Sequence, residues 1–210
     1  MTDVKICGLT REGDVVLACE LGASLVGFNF SSLSPRAVDL ETGTQLARSA
    51  AAGTLRVGVF VRENVERISE IVAAAGLDFV QIHRSLREEE VESLPVPMIA
   101  VAPVGENGPR LPPQALVARS RALLFDRAST DGAGGSGRPF DWNAIAGRSF
   151  GAPVFVAGGL TPETVGAAIR RIRPDGVDVA SGVESRPGVK DPERMQRFFA
   201  EVRAADRDRQ

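Results

Sequence analysis

Val154-Phe155-Val156-Ala157-Gly158-Gly159 and Val177-Asp178-Val179-Ala180-Ser181-Gly182 are hydrophobic runs that pass straight into glycine. A helix-like stretch follows each of them. Strand–glycine–helix units expose backbone N–H groups where no Cβ blocks approach, a setting that suits a phosphate dianion. In a parallel α/β barrel, the loops after strands seven and eight are the usual phosphate site. The two runs therefore point to a barrel and to a phosphorylated small molecule together.

Outward from these runs, short β-branched stretches alternate with amphipathic ones along the whole chain. The patterns predict strands near 4–9, 25–30, 56–61, 79–83, 97–103, 122–126, 153–158 and 176–181. They predict helices near 11–21, 39–52, 64–75, 86–94, 113–120, 141–147, 162–173 and 191–205. Thr161-Pro162-Glu163-Thr164 offers a cap residue and then proline at the first helical position. Gly22 and Gly76 stand where a helix would stop and turn left-handed. Eight strand-then-helix units imply a parallel sheet, and right-handed crossovers close it into a single (β/α)8 TIM barrel over residues 1–210. A doubly wound open sheet also satisfies the alternation, but eight units rather than five or six favour closure.

The length of 210 residues suits one domain, although barrels typically run to about 250 residues. Pro103 to Pro113 is rich in proline and glycine but too short to divide domains. Thr130 to Arg138 carries four glycines after strand six, on the side where barrels keep their chemistry, and predicts a mobile loop beside the site. The charged Arg203–Gln210 end is expected to fray.

Composition narrows the class of function. With 43% hydrophobic and 25% charged residues, the chain reads as an ordinary soluble globule. A net charge of −2 gives no general attraction for nucleic acid or an anionic membrane, so a phosphate must be held locally. Nothing resembles a signal peptide, and no apolar run approaches the roughly 20 residues of a membrane span. Cys7 and Cys19 are the two cysteines, and neither has metal-ligand spacing. A reduced cytoplasmic protein without a metal is the expectation. No oversized apolar stripe marks the surface, so a monomer is preferred over a dimer.

Side chains alternate along a strand. If Val4 and Ile6 pack under helices, Lys5 and Cys7 point into the barrel, with Cys7 at its mouth. A lone strand cysteine is more often inert, but the neighbouring lysine should favour the thiolate and lower the thiol pKa. Cys19, on the first helix, reads as core. Asp126 ends Leu123-Leu124-Phe125-Asp126 with the inward parity of Leu124, facing Cys7 across the mouth. A random strand-end aspartate would be a turn or cap residue. A carboxyl group opposite a thiol is instead an acid–base pair, suited to moving a proton between carbon and oxygen of a sugar. Gln81 and His83 share one parity on strand four, and His83 is expected to contact substrate rather than transfer protons. Asp178 is inward on strand eight and should pair with Lys5, because an unpaired charge there is costly. Arg36, stiffened by Pro35 after strand two, can grip a carboxylate with two parallel hydrogen bonds or lie solvated on the surface.

Lys5-Ile6-Cys7-Gly8-Leu9-Thr10, Ser34-Pro35-Arg36 and Val80-Gln81-Ile82-His83 resemble blocks of the phosphoribosylanthranilate isomerases of tryptophan biosynthesis. So do the runs from Gly134 to Trp142, from Ala157 to Glu163, from Gly176 to Glu184 and from Pro187 to Asp191. The resemblance implies conversion of N-(5-phosphoribosyl)anthranilate to 1-(2-carboxyphenylamino)-1-deoxyribulose 5-phosphate by an Amadori rearrangement, with no cofactor. It implies Asp126 as general acid on the furanose ring oxygen and Cys7 as general base at C2. It implies Arg36 on the anthranilate carboxylate and backbone near Gly158, Gly159, Ser181 and Gly182 on the phosphate. Lys5, His83 and Gly135 complete the expected binding set. Three positions depart from the family: Asn29 replaces an apolar residue, Arg84 a glycine, and Ser31-Ser32-Leu33 a stretch often aromatic and basic. All three are expected near the anthranilate end.

Two other readings stand beside this one. The same chemistry could act on a different phosphoribosyl amine, which relative kcat/KM values would reveal. An inactive phosphate-binding barrel is the other, but it gives no reason for Cys7, Asp126 and Arg36 to occur together. Indoleglycerol-phosphate synthase shares the phosphate loops, yet its catalytic lysines and glutamate have no obvious counterparts at these strand ends.

Overall fold

The computed structural model describes residues 1–128 and 140–208. Eight parallel strands form its centre: β1 (Asp3–Ile6), β2 (Leu25–Asn29), β3 (Leu55–Phe60), β4 (Phe79–Ile82), β5 (Met98–Gly105), β6 (Ser120–Arg127), β7 (Val154–Val156) and β8 (Gly176–Val179). Each strand pairs with the next, β8 returns to β1, and β4 to β5 completes the ring. The sheet is closed, which decides for the barrel against the open alternative.

Around it lie α1 (Glu12–Glu20), α2 (Leu40–Arg48), α3 (Val65–Ala75), α4 (Glu88–Glu92), α5 (Gln114–Arg119), α6 (Val165–Ile172) and α7 (Pro192–Arg207). Their starts are written locally. Asp39 and Asn64 accept from Thr42 N and Arg67 N to cap α2 and α3, and Asp191 caps α7 ahead of a proline. Gly76 closes α3 in the left-handed region, as its position predicts.

The core has two layers, as period-two alternation requires. Val4, Ile6, Val26, Phe28, Val80 and Ile82 join the larger cluster under the helices. Leu25, Val57, Ile99, Leu124, Phe155 and Ala157 form a separate inner cluster. Leu124 and Leu25 therefore mark the face that their neighbours two residues on, Asp126 and Gly27, also share.

Several boundaries differ from expectation. The stretch predicted as a helix over 141–147 is a single 3-10 turn, Trp142–Ala144, and Gly147 soon follows in the left-handed region at φ +70°. Thr161 and Pro162 do not begin α6. Thr164 Oγ1 instead accepts from Thr161 N in a tight turn, and the helix starts at Val165. The carboxyl end does not fray from Arg203, because α7 runs on to Arg207. It buries Phe198, Phe199, Val202 and Ala205, and Asp206 accepts from both Thr2 N and Thr2 Oγ1. The proline-rich stretch after β5 turns back on itself, pairing Val104 with Pro109. The expected loop at Thr130–Arg138 lies outside the described residues. Among those described, no helix is long and apolar enough to cross a membrane.

Candidate active site

Beneath the mouth of the barrel, Lys5 and Asp178 stand opposite each other on β1 and β8. Lys5 Nζ lies 3.0 and 3.1 Å from the two Asp178 carboxylate oxygens, the pairing that strand parity predicts. Both side chains are almost inaccessible to solvent. Burial would lower the Lys5 pKa, but Asp178 and the Cys7 sulfur outweigh it and hold the ammonium above its ordinary value. Lys5 is not among the residues that line the central pocket, and its ammonium is engaged by Asp178. Its charge is taken up by Asp178, and the Cys7 sulfur adds to that stabilisation.

Above this pair, Cys7, Arg36, His83, Asp126, Gly158 and Ser181 line one pocket of about 90 Å³. Cys7 follows β1 and Asp126 lies near the end of β6, so thiol and carboxyl both reach the mouth. The Cys7 pKa is raised, not lowered. Burial dominates, and the Asp178 charge adds to it, while Lys5 opposes both. The predicted effect of lysine is present but loses to desolvation. The Asp126 carboxyl is pushed up to about 6, first by burial and then by Asp178, against the Arg127 N–H it accepts at 2.8 Å. A carboxyl group near 6 can donate a proton at neutral pH.

His83 and Gln81 meet at the pocket wall, with Gln81 Nε2 2.8 Å from His83 Nε2. Burial, then the Lys5 charge, lowers the His83 pKa to about 4. The ring is therefore neutral and accepts from the amide. Gln81 Oε1 is buried with no hydrogen-bond partner among the described residues.

The glycines after β7 and β8 build a backbone cradle. Gly158 and Gly159 are left-handed at φ +76° and +74°. The Leu160 carbonyl occupies the space that a Cβ on Gly182 would need, so the two loops touch backbone to backbone. Gly159, Leu160, Ser181 and Gly182 border both the central pocket and an outer cavity of about 410 Å³. Gly135 lies outside the described residues.

Arg36 is not solvated. Its Nε and Nη2 donate to Glu184 at 2.8 and 2.7 Å. Neither Glu184 nor its second partner Lys190 was anticipated. The signal available was weak: a glutamate and a lysine flanking Arg186-Pro187-Gly188, a turn sequence that zips Glu184 against Lys190. Asn29 does line the pocket, and its Oδ1 accepts from Ser31 N to shape the loop bearing Arg36. Arg84 does not. It is bound to the Glu63 carbonyl and to Glu90 at the rim, which removes it from the central pocket. Cys19 packs against the core, as expected.

A closed (β/α)8 barrel with a carboxyl group, a thiol and a glycine cradle around one mouth suits proton transfer on a phosphorylated sugar, the chemistry of an aldose–ketose isomerase. A family model described as N-(5′-phosphoribosyl)anthranilate (PRA) isomerase matches residues 4–201. The N-(5′-phosphoribosyl)anthranilate isomerase of Myxococcus xanthus is 44% identical over 205 residues, covering 96% of this chain and 95% of that protein. The crystal structure of phosphoribosyl anthranilate isomerase from Thermotoga maritima superposes with a TM-score of 0.85 at 30% identity, over 97% and 100% of the two chains. Another solved phosphoribosyl anthranilate isomerase, in complex with reduced 1-(o-carboxyphenylamino)-1-deoxyribulose 5-phosphate, gives 0.79 at 28% identity over the same shares. The chain belongs to the N-(5′-phosphoribosyl)anthranilate isomerase family.

Proposed function

We propose that this protein isomerises N-(5′-phosphoribosyl)anthranilate to the corresponding 1-deoxyribulose 5-phosphate, the isomerase step of tryptophan biosynthesis. The observation that carries the reading is the convergence of Cys7 and Asp126, far apart along the chain, on one pocket beside the glycine cradle. The chain acts as one catalytic unit. Asp126 gives its proton to the furanose ring oxygen as the C1–O bond breaks, and the amine lone pair forms a C1=N iminium. The Cys7 thiolate then takes the C2 proton, and the electron pair left behind closes C1=C2. The enolamine tautomerises to the C2 ketone, with a proton gained at C1 and lost from the C2 hydroxyl. Each acid or base step is worth about 10² to 10⁴ in rate.

The iminium is the feature that makes a raised thiol pKa workable. It places a cation beside the sulfur and acidifies the C2–H bond at the same moment. Gly158, Gly159, Ser181 and Gly182 supply backbone donors to the phosphate, and Arg36 meets the anthranilate carboxylate. A ribose hydroxyl satisfies the unpartnered Gln81 Oε1, with His83 holding that amide in place.

Neither thiol is in a disulfide, which suits a reducing cytoplasm. Among the described residues the exposed large apolar side chains are Met1, Val16, Leu33, Leu55 and Leu111, none adjacent in sequence, which favours a monomer, to be checked by light scattering. The decisive experiment follows the loss of anthranilate-type fluorescence from freshly made phosphoribosylanthranilate. Absence of turnover, or equal kcat/KM on a phosphoribosyl amine lacking the carboxylate, would overturn the proposal.

A further inference from the structure

Three charges meet behind the carboxylate end of the pocket. Glu184 and Lys190 face each other across a short antiparallel hairpin, Glu184–Arg186 with Val189–Lys190, in the loop after β8. Lys190 Nζ donates to Glu184 Oε1 at 2.9 Å and to the carbonyls of Cys7 and Ala180 at 2.7 and 3.0 Å. Glu184 takes Arg36 with both carboxylate oxygens. Glu184 and Lys190 are buried, and Arg36 is mostly so.

A guanidinium offers two edges that can each bind a carboxylate: Nε with one terminal nitrogen, and the two terminal nitrogens together. Glu184 occupies the first. Among the described residues nothing accepts from Nη1, so the second edge is unoccupied, and Arg36 lines the pocket. The stem of Arg36 is fixed as well. It lies where a Cβ on Gly8 would stand, and Gly8 is left-handed at φ +68°. Thr10 Oγ1 also donates to the Gly188 carbonyl, tying the hairpin to the same loop.

We infer that Glu184 is a positioning residue for substrate recognition. It grips one edge of Arg36 and aims the other at the aromatic carboxylate, while Lys190 cancels its charge so that Arg36 still presents a full positive charge. Without Lys190, Arg36 and Glu184 would sum to zero, leaving the free edge of Arg36 a weaker pull on an anion. This rests on the isomerase reading and deepens it: the substrate's carboxylate is read by a three-residue relay rather than by Arg36 alone.

The test is a double-mutant cycle on the intact protein with phosphoribosylanthranilate as substrate. Glu184→Gln should raise KM about tenfold, the size of one charge-assisted hydrogen bond, with kcat within about twofold of wild type. Inhibition by ribose 5-phosphate, which has the phosphate but no carboxylate, should be unchanged. Adding Glu184→Gln to Arg36→Met should cost nothing further, because the relay acts only through Arg36. A full, additive KM penalty in the Arg36→Met background, or a fall in kcat with KM unchanged, overturns the assignment. If Glu184→Gln does not fold, Glu184→Asp carries the test, since it retains the charge but withdraws it by one methylene, and the same KM-only loss is required. Wild-type turnover separates the two failures: its absence sinks the function, and additive penalties with turnover intact sink only the role of Glu184.

Discussion

Replacing Lys5 by methionine should destabilise this protein more than replacing Lys5 and Asp178 together. Nζ lies 3.0 Å from Asp178 Oδ2, with the two side chains 1% and 7% exposed. At an effective dielectric of about 20 the gross attraction at that distance is about 5 to 6 kcal/mol. Desolvation of the two ions is of similar size, so the pair as a whole is close to neutral for stability. Removing one partner leaves the other's desolvation uncompensated, at a cost of about 3 to 5 kcal/mol. For a chain of this length each kcal/mol moves Tm by about 2 to 4 °C, so Lys5→Met should lower Tm by on the order of 10 °C. Lys5→Met with Asp178→Leu should recover most of that loss. The measurement is thermal or urea unfolding followed by circular dichroism, on both single variants and the double. Equal losses in Lys5→Met and the double variant would refute the pairing argument, and so would additive losses from the two single changes.

Asp126→Asn keeps shape but cannot donate a carboxylic proton, so kcat should fall by about 10² to 10⁴ while the circular dichroism spectrum is unchanged. Near-normal turnover would discard the acid assignment. Cys7→Ser should cripple turnover similarly, because a serine hydroxyl is far too weak a base near neutral pH, and it should leave ribose 5-phosphate inhibition intact. The pH dependence has a definite sign. In the proposed mechanism the productive state holds one proton on Asp126 and none on Cys7, so kcat/KM should fall about tenfold per unit below about 6, where both groups are protonated. It should stay flat above that value until the raised Cys7 pKa is reached. In a Cys19→Ala background, iodoacetamide should alkylate Cys7 appreciably only above the ordinary thiol value of 9.0. Rapid alkylation at pH 7 would show a stable thiolate and contradict the dominance of burial.

Much of this site was legible because a strand has a period of two. Once Val4 and Ile6 were placed under helices, Lys5 and Cys7 had to face inward, and the same logic placed Gln81, His83, Asp126 and Asp178. Closure of the ring then made β1 and β8 neighbours, and the Lys5–Asp178 pair followed. What parity cannot supply is depth. Whether the lysine beside Cys7 or the burial around it wins depends on how much water the finished barrel excludes, and no local pattern encodes that. Contacts between loops were hidden for a different reason. Arg36 and Glu184 are 148 positions apart, on loops with no periodicity to set their orientation. The helix predicted over 141–147 failed because it falls to a single 3-10 turn that ends before a left-handed glycine. Arg84 looked like a change at the substrate because it follows His83, yet the chain leaves the strand there and carries its side chain to the rim.

One buried ion pair tunes both Asp126, the proposed acid, and Cys7, the proposed base. Lys5 pulls both Asp126 and Cys7 toward their charged forms, and Asp178 pushes both back. Each charge of the pair therefore offsets the other at both groups, and burial is left as the largest influence on each. Burial acts in the same direction on a carboxyl and a thiol, which keeps Asp126 able to donate near neutral pH but makes the Cys7 thiolate scarce. A free lysine in place of the pair would draw both groups toward their charged forms, making the thiolate less scarce and the carboxyl less able to hold its proton. The proposed mechanism needs the acid first, because the C2 proton becomes labile only after ring opening has made the iminium. An ion pair that favours the first step and leaves the second to the charge on the intermediate matches that order. It follows that Asp178→Asn, which unmasks Lys5, should move the acidic limb of kcat/KM to lower pH and bring the Cys7 thiol down with it. A shift of the two groups in opposite directions would show that the pair does not act on them in common.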